Sequence, residues 1–73
     1  MEENQAAAQS VPYTDAVVEL AYQNGNAFLI LGLVRRGIRS SNHPELEEAF
    51  MREATGGDYD HLLQTCMRYV CVE

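Results

Sequence analysis

Lysine and tryptophan are missing from this chain, and its five basic side chains are all arginine: Arg35, Arg36, Arg39, Arg52 and Arg68. Against 11 Asp and Glu residues they leave a formal net charge of -6. General affinity for DNA or RNA needs clustered positive charge that displaces phosphate counterions, so neither is expected as a partner. Cysteine is scarce as well. Cys66 and Cys71 fit no zinc pattern, which needs further ligands, and five positions apart on a helix they point in different directions. Both are expected to be reduced core residues of a cytosolic protein, with no metal and no cofactor. The apolar run from Ala27 to Val34 is too short to cross a membrane and ends at Arg35 and Arg36. The start of the chain, with Glu2 and Glu3, lacks the basic opening of a signal peptide.

What the sequence does hold is apolar surface. Of its 73 residues 47% are apolar, yet a domain of this size buries only roughly 60% of its unfolded surface. A second copy supplying the missing core is the usual remedy, so a homo-oligomer is expected. One domain is expected over residues 13–73. Residues 1–12 are polar and alanine-rich without apolar period, which reads as a disordered arm.

Local patterns predict an α+β fold that is mainly helical: a short strand, three helices and a short C-terminal strand. Between Asp15 and Tyr22, Ala16, Val18, Leu20 and Tyr22 alternate with Val17, Glu19 and Ala21, a period of two rich in β-branched residues. A helix is the competing reading of that segment. Gln23-Asn24-Gly25-Asn26 is a turn, and Asn26 can cap the helix that follows. That first helix spans Ala27 to about Arg39, with Ala27, Ile30, Leu31, Val34 and Ile38 on one stripe. Phe28, Leu29 and Leu33 fall outside the stripe, while Gly32 and Gly37 permit close approach of another backbone. Ser40-Ser41-Asn42 breaks the helix. Asn42 and Glu45 have capping-box spacing around Pro44, opening a second helix that ends near Ala54 before Gly56 and Gly57. Asp58 caps a third helix carrying Leu62, Leu63, Cys66, Met67 and Val70 at helical spacing. The tail from Tyr69 to Val72 is strand-like and can pair with the first strand.

The densest polar cluster is Gly56-Gly57-Asp58-Tyr59-Asp60-His61. A metal held by Asp58, Asp60 and His61 is disfavoured, because adjacent helical residues diverge by about 100°. Proton transfer by Asp58 or Asp60 with His61 lacks a recognisable nucleophile, although Thr65 lies one turn after His61; no enzyme is expected. The structural alternative makes Asp58 a cap, packs the Tyr59 ring and bonds His61 to the strand or the Asn26 turn. The ligand reading adds a site to those jobs. Helix starts present free N–H groups to anions, Phe28 and Tyr59 can stack a base, and Arg36, Arg39 or Arg68 can hold phosphates. Its residues are Asn26, Phe28, Arg36, Arg39, Asp58, Tyr59, His61, Thr65 and Arg68.

Gly25-Asn26-Ala27-Phe28, and the run from Glu53 through Gly57-Asp58-Tyr59-Asp60-His61 to Leu63, resemble a group of short proteins encoded by bacteriophages and prophages. In that group a strand leads to a GNAF turn, and an EAT(S/G)GDYDHLL segment opens the last helix. The resemblance spans Val17 to Val72 and implies a cytoplasmic protein of a bacterial host cell. By analogy with small phage proteins that block host defence, two roles are expected. One is sequestration of a phosphorylated nucleotide signal in an oligomeric pocket. The other is inhibition or regulation of a host protein through an acidic, apolar surface.

Overall fold

The computed structural model describes residues 11–20 and 25–73. Most of the expected N-terminal arm (residues 1–10), and the segment 21–24 that includes Tyr22 and the head of the turn, lie outside the described residues. The elements run β1 (Val17–Val18), α1 (Ala27–Arg39), a 3-10 turn (Pro44–Leu46), α2 (Glu47–Ala54), α3 (Tyr59–Tyr69) and β2 (Cys71–Val72). This is the mainly helical α+β order that the sequence patterns imply.

Burial alternates along the first segment from Thr14 to Leu20, and backbone hydrogen bonds to residues 69–73 span the same stretch. Thr14, Ala16, Val18 and Leu20 are buried, while Asp15, Val17 and Glu19 are exposed. Val17–Val18 pair in parallel with Cys71–Val72, and bonds from the Thr14 N–H to the Tyr69 carbonyl and from the Leu20 N–H to the Glu73 carbonyl flank that pair. Parallel strands need a long crossover, and here three helices supply it. The regular strand, two residues long, is shorter than the alternating stretch. The C-terminal strand is shorter too, because Tyr69 stays helical and buried as the last residue of α3.

Helix α1 lays Ile30, Val34 and Ile38 on the core at 0–1% exposure. Ala27, expected on that stripe, sits exposed at the helix mouth, and Leu31 is half-buried. At Gly37 a Cβ would stand 2.8 Å from the Val18 methyl and 3.5 Å from Ala16. The missing side chain is what lets α1 lie directly on β1. Phe50 of α2, and Thr65, Cys66 and Val70 at the end of the chain, complete the fully buried set.

The second helix starts differently from its sequence pattern. Pro44 opens a 3-10 turn, and His43 at its cap position makes no side-chain cap bond. Asn42 is engaged elsewhere: its side-chain Oδ1 accepts the Asp15 N–H at 3.0 Å, and its own N–H donates to Asp15 Oδ1 at 2.9 Å. The expected capping box gives way to a reciprocal tie between the helix break and the start of the strand. Cys66 is buried as expected, but Cys71 is exposed, because on β2 it points away from the helices.

Among the described residues no helix is long and apolar enough to cross a membrane. No group of three His, Cys, Asp or Glu side chains among them could hold a metal ion.

Candidate functional site

Eight of the nine residues singled out in the sequence fall into three separate places, and Phe28 stands apart from all of them. The first joins the turn before α1 to the start of α3. Asn26 caps α1, its Oδ1 accepting the Leu29 N–H at 3.1 Å. Gly25, at φ +80°, holds the left-handed conformation that glycine adopts at no steric cost. Its N–H donates to the Tyr59 hydroxyl at 2.7 Å. Asp58 caps α3 through a 2.9 Å bond from the His61 N–H. Both helix mouths thus have a side-chain acceptor on one N–H, as helix starts require.

The second place is centred on Glu53, which the sequence reading passed over. Its Oε2 accepts from Arg68 at 2.8 Å and its Oε1 from the Tyr69 hydroxyl at 3.0 Å. Its backbone carbonyl can only accept, so His61 Nε2, 2.7 Å away, carries the proton of that bond. Thr65 donates to the His61 carbonyl at 2.8 Å. His61 therefore reaches neither the strand nor the Asn26 turn. Burial, and then the bond to Glu53, push the Tyr69 hydroxyl above its ordinary range. Tyr13 and Phe50 meet the Tyr69 ring edge-on at 4.9 and 5.4 Å. Each side chain in this cluster makes at least one bond within the chain. The cluster ties α2 to α3, and Arg68, His61 and Thr65 each spend at least one polar atom on bonds within the chain.

The third place lies along α1. Leu29, Gly32, Leu33, Arg35, Arg36 and Arg39 line an open hollow of about 350 Å³. Arg35 and Arg39 both bond Glu47, at 2.9 and 2.6 Å. Those two guanidinium groups, Arg39 foremost, hold the Glu47 carboxyl down to about 2. Arg36 makes no salt bridge with any of the described residues. One carboxylate among three guanidinium groups leaves the hollow positive on an acidic molecule.

Phe28 belongs to none of these places. Its side chain is 90% exposed and lines neither the hollow nor the groove described next, so Phe28 and Tyr59 do not face one another across one pocket. The structure instead shows a feature the sequence reading missed. Leu20, Ile30, Tyr59, Leu63, Met67, Val72 and Glu73 line an open groove of about 390 Å³ whose surface is mainly apolar. Tyr59, Leu63 and Met67 stand at i, i+4 and i+8 on α3, a second apolar stripe beside the buried one of Leu62, Cys66 and Tyr69. That spacing is present in the sequence and was the available signal.

No family model, curated protein or solved structure matches the chain.

Proposed function

We propose that this chain is a non-catalytic protein-binding module whose groove between α3 and the strand ends receives a segment of another protein. The observation that carries the reading is the groove itself: apolar along Tyr59, Leu63 and Met67, with Glu73 at its end and Met67 53% exposed. An open apolar surface suits a side-chain-bearing segment better than a small molecule, which needs most of its surface enclosed. Methionine adapts to varied apolar partners. Glu73 and the net charge of -6 favour a partner with positive charge. By analogy with small phage proteins that block host defence, that partner is a host defence protein.

Met67→Glu tests the reading. Met67 is exposed, so the fold should survive, while a charge in the groove should abolish capture of the partner that crosslinking identifies in host cells. Unchanged capture by Met67→Glu and by Leu63→Ala would remove the groove from the function.

One observation favours a second reading, sequestration of a phosphorylated nucleotide signal: three of the five arginines line the α1 hollow. Guanidinium groups hold phosphates through paired, charge-assisted bonds. Calorimetry against cyclic dinucleotides and cyclic ADP-ribose isomers, with Arg36→Ala as control, decides it. Absence of heat across that panel rejects it.

A further inference from the structure

Helix α1 has an outer face that nothing in the described molecule covers. Phe28, Gly32 and Arg36 stand at i, i+4 and i+8 along it, with Leu29 and Leu33 beside them. Phe28 is 90% exposed and Leu29 41% exposed. A Cβ placed on Gly32 would meet nothing within 4 Å, so the middle of this face is bare helix backbone. Ile30, which lines the groove, lies on the opposite side of the same helix. The two surfaces are therefore independent, and occupation of one leaves the other open.

We propose that this face is where a second copy of the chain binds, the two α1 helices crossing antiparallel about a twofold axis at Gly32. The stripe is self-complementary in that arrangement. With Gly32 opposite Gly32, Phe28 of each copy stands opposite Arg36 of the other. An aromatic face is electron-rich, and a guanidinium group stacked on it is attracted electrostatically. The twofold axis makes that contact twice and closes the assembly at two copies. Glycine at the crossing point lets the helices approach to the short end of the packing range, about 8 Å between axes. The charge balance also fits. Glu47 engages Arg35 and Arg39, so among the described residues of this face Arg36 is the cation left to meet a partner. The face carries no acidic residue in its first turn to pair with a guanidinium group, which leaves the exposed ring as its complement.

Sedimentation equilibrium on the full chain should give twice the 8.2 kDa chain mass at micromolar concentration. Phe28→Asp and Arg36→Glu should each weaken the dimer at least tenfold, with the circular dichroism spectrum unchanged because both side chains are exposed. The geometry has its own readout. In a Cys71→Ser background, Gly32→Cys should crosslink rapidly under mild oxidation, whereas a cysteine at exposed Gln64 should not. A monomer at 100 micromolar overturns the proposal. So does a dimer indifferent to Phe28→Asp and Arg36→Glu that fails to crosslink through position 32. A monomer whose α1 signals move on addition of a cyclic dinucleotide also overturns it, and assigns the face to the anion instead. None of these results bears on Met67, so failure here leaves the groove reading standing.

Discussion

Asp58 shows how much one side chain can settle at the residue scale. It stands in extended conformation, at φ -87° and ψ -171°, directly before α3, and its carboxylate takes up the His61 N–H. Replacing such a cap by alanine costs about 0.5–2 kcal/mol. Asp58→Ala should lower stability by that amount in urea titrations, and an unchanged midpoint would mean that the bond contributes nothing. This cap was legible because an acidic residue follows two glycines and precedes an apolar period. The partner of the His61 ring was not legible. Gly57 presses against that ring, at 2.7 Å from a would-be Cβ to Cγ, and the ring turns back to the Glu53 carbonyl. Glu53 gathers groups 8, 15 and 16 positions later in the chain. No local spacing announces such a node, since it exists only once α2 and α3 are packed.

At the scale of elements, the two glycines inside α1 have opposite roles, which the sequence alone did not separate. Each lowers helix propensity by about 1 kcal/mol relative to alanine. Gly37 faces β1, and a methyl group there would stand 2.8 Å from a Val18 methyl carbon. Val18 is buried and β-branched, so it cannot turn aside without disturbing its neighbours. Overpacking of this kind costs about 1–3 kcal/mol. Gly37→Ala should therefore be neutral to destabilising by up to about 2 kcal/mol once the propensity gain is subtracted. Gly32→Ala, in open space, should stabilise the isolated fold by about 1 kcal/mol. Urea unfolding at concentrations below dimerisation compares the two, and equal effects would contradict the close contact of α1 with β1. The helices and their order were readable because the apolar periods are long. The second stripes of α1 and α3 were readable as spacings, but which of them stays uncovered depends on where the strands lie.

For the molecule as a whole, the ionisable groups define a window of pH in which the fold should be most stable. On the acid side Glu47 is held down to about 2 from an ordinary value of 4.5, by hydrogen bonds from Arg39 and then Arg35. A carboxylate depressed in the folded state contributes stability that is complete above the unfolded value. That contribution should fade as pH falls from about 4.5 toward 2. Glu45 is shifted in the same direction, through its own backbone N–H and His43, and adds to this limb. Glu45 is exposed and Glu47 is half-buried against exposed guanidinium groups, so the limb should be shallow and should flatten in high salt. On the alkaline side burial pushes the Cys66 thiol up to about 11 from 9.0. Here the unfolded chain ionises first, so stability is complete below about 9 and falls as pH rises toward 11. Tyr69, raised by its burial and by Glu53, acts in the same sense from its ordinary value of 10.0 upward. The urea midpoint should accordingly decline below about pH 4.5 and above about pH 9. Glu47→Gln should reduce the acid slope and leave the alkaline limb intact, because Cys66 and Tyr69 make no bond to Glu47. An acid limb identical in Glu47→Gln and the parent chain would show that the paired arginines of α1 do not stabilise the fold through Glu47.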